Sequence, residues 1–453
     1  MTYRSSFRRR RKPPPINPAP APATTLSSVY CFLLLLLPSQ YVIGPLGGAG
    51  TPAGVFAVVI LLAYLLAWLA PRSTAIRQPQ PLRIAMVLFG AAVLASYASG
   101  MTRQLTVLEI NGLDRGLIIA AGWIGSALII CDGVDRMDLL EKLRRRVVAF
   151  GTAIAALGVL QFFTALDLAQ YIQIPGLSLS VPYSSVHGRD EFNRIAATAA
   201  HPIEFGVVLG LLLPLALHGA RHAPPELRRR RWAQVMLIAA ALPMTISRTA
   251  MLGAVLVAVV VVPTWTRKER RRAYVLFGAF GVVMRLAIPG LLGTIFALFE
   301  NIGNDSSTQF RLHDYSAATD YFSEHPWFGR GFGTFLPNLY RILDNQYLVT
   351  LIEMGVIGSI SVVVCFGTGW VLARRARRLS DDPELRHLAQ CVAASVLVGA
   401  VSLATYDSLA FPMCAGLMFV VMGFAGAVYN IANRAVPQET PISTSSEPVL
   451  QTS

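Results

Sequence analysis

Apolar residues run through this chain in blocks close to the length of a bilayer crossing, separated by shorter polar stretches rich in arginine. Windows of about 19 residues predict roughly twelve crossings, centred near Leu34, Leu61, Phe89, Trp123, Ala156, Gly210, Ile238, Leu256, Gly281, Ile360, Leu397 and Val420. The seventh and eighth share one block, WAQVMLIAAALPMTISRTAMLGAVLVAVVVVPTW, which at about 35 residues is too long for a single crossing. Its polar break at Ser247 to Thr249 predicts a tight hairpin of two short helices.

Two interruptions exceed ordinary connection length, Asp167 to about Ala200 and Leu291 to Asn345. In the second, Ser306 with Gln309 reads as a capping box that opens an amphipathic helix of about 17 residues, ending at His325-Pro326. Phe310, Ala317, Ala318, Tyr321 and Phe322 give that helix an apolar side, while Arg311, His313, Asp314 and Asp320 stay wet. GRGFGTF then reads as a turn, because no strand precedes it as a dinucleotide fingerprint would require. The pattern predicts an all-α polytopic membrane protein with about twelve transmembrane helices and a large outer loop containing an amphipathic helix. Residues 1–25 read as a disordered basic cytoplasmic N-terminus, 26–430 as the transmembrane domain with outer loops 167–200 and 291–345, and 431–453 as a cytoplasmic tail. The first apolar run is broken at Pro38 with no convincing small-residue cleavage site, so it reads as an uncleaved crossing.

Composition agrees: at 54% hydrophobic and 14% charged, the chain has too little polar surface to clothe a soluble globule. A formal charge of +14 could suggest nucleic acid, but the arginines fall in short clusters between apolar runs rather than on one face, so nucleic-acid binding is excluded. With a cytoplasmic start, roughly 30 basic residues lie inside and about 8 outside, as the positive-inside rule requires. Lys12, Lys142 and Lys268 follow no glycine-rich loop, which excludes a P-loop and with it ATP hydrolysis. The five cysteines lie in or beside apolar segments without metal or redox spacing. His187, His201, His313 and His325 show no metal-ligand spacing either.

Arginines away from the basic clusters are few, and each costs about 2.5–3.5 kcal/mol at membrane depth, so each needs a reason. Arg248 sits at the hairpin tip in ISRTAML, Arg194 in NRIAATAAHPIEFG and Arg311 in QFRLHDY; Arg285 in the ninth crossing reads as structural or snorkelling. Converging on the outer face, Arg194, Arg248 and Arg311 would bind a phosphate or diphosphate through planar forks; a solvated arginine or a salt bridge would look the same in sequence. Asp344, at the mouth of the tenth crossing, is placed as a general base or as a helix N-cap. Glu353 and Glu204 are intramembrane carboxylates that either support the chemistry or pair with Arg248 or Arg285. His201 either transfers protons or only hydrogen-bonds.

Three stretches, NRIAATAAHPIEFG, SRTAMLG, and FRLHDYSAATDYFSEHPWFGRGFGTF followed by DNQYLVTLIEMGVIG, occur in the order that resembles the membrane O-antigen ligase and O-antigen polymerase superfamily. The resemblance covers roughly Arg194 to Ile360 and implies transfer of a glycan from an undecaprenyl-diphosphate carrier to a sugar hydroxyl on the outer face of the bacterial inner membrane. It implies arginines on the diphosphate, no metal and no cofactor. Its partners would be the lipid-linked donor and acceptor, membrane lipids, and other polysaccharide export or chain-length proteins. Ligases typically carry histidine and asparagine where this chain has Asp344 and Asn345, so the expectation is a polymerase of O-antigen, capsule or exopolysaccharide. The alternatives are a ligase-type transferase and a glycan or anion transporter; no internal repeat supports the transporter.

Overall fold

The computed structural model describes residues 22–69, 79–166, 168–180, 187–189, 192–300, 315 and 318–435. The described residues form a bundle of helices, joined at one end by two short strand pairs: α1 Pro22–Leu36, α2 Pro52–Leu69, α3 Pro81–Gly100, α4 Val107–Gly133, α5 Met137–Thr164, α6 Pro202–Arg221, α7 Pro225–Met244, α8 Arg248–Val261, α9 Arg267–Ala287 and α10 Leu291–Glu300, then the short α11 over 318–324, α12 Gln346–Leu379, α13 Pro383–Ser402 and α14 Pro412–Ala435. Every predicted crossing centre falls in its own helix. Eight of the helices are long and apolar enough to span a membrane, α1 and α8 are shorter apolar helices, and α7 and α9 open on arginine-rich turns. The protein is therefore a multi-pass membrane protein.

Elements with the most uniformly apolar surfaces lie deepest. Most of α14 and α6 is buried, so their all-round hydrophobicity faces other helices rather than lipid. Small residues let backbones meet: a side chain at Gly206 would strike Ala250 at 2.5 Å, and one at Gly125 would strike Leu61 at 2.6 Å, closing α6 on α8 and α4 on α2. Thr106 and Glu109 form a capping box that starts α4.

The basic clusters of Arg144 to Arg146, Arg228 to Arg231, Arg270 to Arg272 and Arg374 to Arg378 gather at one end, here the basic end. The long connections lie at the other, the loop end. There β1 (Tyr41–Ile43) pairs antiparallel with β2 (Leu177–Leu179), Val42 opposite Ser178, and β3 (His187–Arg189) forms a hairpin with β4 (Phe192–Arg194).

The stretch from Leu291 to Asn345 departs from a plain polar loop, because its first ten residues, LLGTIFALFE, form the apolar helix α10. The start of the predicted amphipathic helix, with Ser306, Gln309, Phe310, Arg311, His313, Asp314 and Ala317, lies outside the described residues. Its last turns are α11, ending before His325-Pro326. There Ala318 is buried against Phe335, Leu343 and Ile352, Tyr321 packs beside it, and Thr319 and Asp320 are exposed. The expectations for 1–21 and 436–453 also fall outside the described residues, and α1 begins at Pro22.

Candidate active site at the loop end

Residues 325–343 form a strap that is stitched into α12 where that helix breaks. Gly355 takes a left-handed conformation (φ 64°) that interrupts the helix and exposes backbone groups on both sides. The strap takes them up: Arg330 N–H donates to Ile352 O at 3.1 Å and Gly331 N–H to Glu353 O at 2.9 Å, while Val356 and Ile357 N–H donate to Pro326 O and Trp327 O. Irregular backbone beside membrane helices is tolerated only when its polar groups are met in this way. The three glycines of GRGFGTF all have positive φ, and a side chain at Gly329 would overlap the Glu353 backbone. Their spacing thus serves close backbone approach. Arg330 lies over the Tyr340 ring at 4.3 Å and bonds its hydroxyl, which donates to Glu109 at 2.7 Å; Arg103 holds the same carboxylate at 2.6 Å.

Of the predicted site residues, His201 and Glu204 form the first turn of α6, with Arg194 and Arg248 on one flank and Asp344 on the other, while Glu353 sits at the strap. On one flank, Arg194 Nε donates to Thr245 O at 3.1 Å, which seats Arg194 against the α7–α8 tip three residues before Arg248. The tip is short because Ile246 turns with φ 46° and Ser247 caps α8. A β-branched residue in the left-handed region is strained, and such strain concentrates at functional sites. Ala197, just past Arg194, also has positive φ and donates to Gln161 at 2.8 Å.

On the other flank lies the 403–411 connection. Gln346 N–H donates to Leu403 O at 2.8 Å and its side chain accepts from Leu409 N–H at 2.9 Å, tying the start of α12 to this loop. Asn345, rather than Asp344, caps α12 by accepting from Tyr347 and Leu348 N–H, so Asp344 is not the cap. Its carboxylate instead neighbours that of Asp407. Burial, with the Asp344 charge adding to it, pushes the Asp407 carboxyl up to about 7. His201 caps α6, its Nδ1 accepting from Ile203 N–H at 3.2 Å, with its ring 6.1 Å from Phe411.

The two intramembrane carboxylates meet backbone amides. Glu204 accepts from Ala200, Met413 and Cys414 N–H at 2.7–3.1 Å, pinning α6 to α14. Glu353 accepts from Phe335 N–H at 3.0 Å and pins the strap. Both therefore act as braces. Arg285 is exposed on α9, and Arg311 lies outside the described residues.

Sequence reasoning missed two groups. A cavity of about 270 Å³ opens between α1, α2, α4 and the strap, and its wall carries Arg115, Arg341 and Asp407 among Trp123, Phe332 and Phe335. It missed a polar cluster at the basic end as well. His218 of α6, His222 just past its end and His387 of α13 bring ring nitrogens within 4.8 Å of one another, a spacing that could hold a metal ion. In this structure the lone pairs of His218 and His387 are taken by hydrogen bonds, Trp265 to His387 at 3.1 Å and His387 to His218 at 3.1 Å.

The helices define a multi-pass membrane bundle with Arg194, Arg248, Asp344 and Asp407 at its loop end. Residues 233–363 match the family model described as O-Antigen ligase, which supports membership of the superfamily of membrane O-antigen ligases and polymerases. The match runs from α7 into α12, taking in the Arg248 tip, the strap and Glu353. No curated protein matches the chain.

Proposed function

We propose that the protein is a polysaccharide polymerase that transfers a glycan from an undecaprenyl-diphosphate carrier to a sugar hydroxyl at the outer face of the bacterial inner membrane. The carrying observation is the seating of Arg194 against the Arg248 tip, across the start of α6 from the Asp344 and Asp407 carboxylates. The basic end is then cytoplasmic, together with both termini, and the loop end faces outward.

In the reaction, the acceptor hydroxyl attacks the anomeric carbon of the donor. Its proton passes to Asp344, the new C–O bond forms, and the old anomeric C–O bond breaks with its electron pair leaving on the carrier diphosphate. Arg194, Arg248 and Arg311 hold that diphosphate through charge-assisted hydrogen bonds that strengthen as charge develops. The N-termini of α6, α8, α12 and α14 open at the same end and add partial positive charge, which favours an anion there. His201 at the α6 cap supports this arrangement, and Glu204 and Glu353 hold the helices that carry it.

Chain length of the lipid-linked glycan in cells carrying Arg248→Ala tests this reading: polymer collapses to a single repeat unit at unchanged protein abundance, and normal polymer would sink it. The family description favours a second reading, ligation of finished glycan to another acceptor. Recovery of the acceptor from the product separates the two.

A further inference from the structure

The largest unexplained charge in the molecule is Arg115. It lies in the third turn of α4, half-buried, and no hydrogen bond or ion pair engages its guanidinium among the described residues. A guanidinium at helix depth costs about 2.5–3.5 kcal/mol on insertion scales, and the usual recompense is a partner or a ligand. The fold also makes room for it: a side chain at Gly48 would meet the Arg115 guanidinium at 2.9 Å, so the turn between β1 and α2 holds the group against the cavity wall.

We propose that this cavity seats a carboxylate-bearing sugar unit of the acceptor glycan, with Arg115 and Arg341 on the carboxylate, an assignment that rests on the glycan-transferase reading of the same end.

The unanswered charge of Arg115 matches a single anionic group. Arg341 and the Asp407 carboxylate share the cavity wall with it; the Glu353 carboxylate, also on the wall, is taken up by the Phe335 amide, with Arg330 near it. A diphosphate would bring more charge toward Asp407 and Asp344, whereas Arg194 and Arg248 offer it cations on the opposite flank of α6. Trp123, Phe332 and Phe335 supply apolar wall suited to the C–H face of a sugar ring, and Asp407 is an acceptor for its hydroxyls. The Asp344 and Asp407 pair at the rim puts the proposed base beside the sugar whose hydroxyl must lose its proton.

The test is equilibrium binding to the purified full chain in detergent. Its probes are fluorescent disaccharides ending in glucuronate, galacturonate or mannuronate, each against its carboxyl-reduced counterpart. At least one acidic probe is expected to bind about tenfold tighter than its neutral form, the ~1.4 kcal/mol of one charge-assisted contact. Arg115→Gln and Arg341→Gln each abolish that preference, and Arg248→Ala leaves it intact. Should Arg115→Gln fail to fold, Gly48→Val, which displaces the guanidinium from the other side, is expected to have the same effect. Equal affinity within every pair, an undiminished preference in Arg115→Gln or Gly48→Val, or displacement of the sugar by farnesyl diphosphate would overturn the proposal. The polymerase reading fails separately, on normal polymer length in Arg248→Ala with the sugar preference still in place.

Discussion

The two ends of the bundle each bury a cluster of arginines and acids, but only one is closed. At the basic end Arg144 grips Glu141 through two bonds of 2.7 and 2.8 Å and gives a third to Leu215 O. Trp265 can only donate, so His387 accepts on Nε2 and donates from Nδ1 to His218, which donates from Nε2 to Glu141 at 3.0 Å. Every link in that chain has its partner. At the loop end Arg115 has none and faces a cavity with Arg341 and Asp407. A satisfied buried network fixes helices in place, while an unsatisfied one is held open for something that arrives later.

Arg144→Ala should break this contrast most violently. It strips the half-buried Glu141 of its counterion and leaves it only the bond from His218, a loss of about 3 kcal/mol, visible as a fall of folded protein in detergent unfolding and of abundance in cells. Arg115→Gln should do the reverse, leaving the unfolding midpoint unchanged or raised while transfer is lost. Equal destabilisation by both would remove the distinction between the ends.

Next in size is Gly355→Ala. Its φ of 64° costs a residue with a side chain about 1–2 kcal/mol, and the added carbon would run into the Trp327 backbone. The strap should lift from α12, making 325–343 newly sensitive to protease, with the basic end undisturbed. An unchanged digestion pattern would show that the strap does not depend on the break.

Trp265→Phe is milder, about 1 kcal/mol, because one hydrogen bond to His387 is lost from a chain otherwise intact. Thermal unfolding should fall slightly with transfer activity unchanged, and loss of activity would mean that the basic end takes part in catalysis.

The elements of this bundle were legible in the sequence because hydropathy windows register burial in lipid and in protein alike; hence every predicted centre found its helix. The Arg194 and Arg248 tip was legible for a related reason, since a cation in a short apolar hairpin stands out. Arg115 could have been found by the same argument: Asn111, Gly112, Ile118 and Ile119 occupy its neighbouring helical positions, so it has no local counterion. It was hidden by the adjacent Asp114, which points elsewhere, its carboxylate accepting from Tyr97. Asp407 and the histidine chain had no local signal. Their neighbours arrive from helices far apart in sequence, and only packing reveals them. Asn345 and Asp344 show the finest limit, because one residue of register decides which of two adjacent polar side chains caps a helix and which is left for chemistry.

The expected effect that is spread most thinly, across a range of pH, concerns Asp407, and its sign follows from the direction of its shift. Folding raises its carboxyl from 3.8 to about 7, so between those values the folded protein holds a proton that the unfolded chain has released. Stability therefore falls as pH rises through that window and levels off above about 7, with a slope below the ~1.4 kcal/mol per pH unit that one group can supply. Asp407→Asn should flatten this slope and, above pH 7, unfold at a slightly higher temperature than the parent. The groups around it decide how much: Asp344 adds repulsion, while Arg115 and Arg341 share the same cavity wall. The same titration should weaken the hold on an acidic sugar as Asp407 ionises, whereas the closed network at the basic end contributes nothing to that dependence. If Asp407→Asn retains the full pH dependence of both unfolding and sugar affinity, the titrating group lies elsewhere, and the loop end is no more open to ligand chemistry than the basic end.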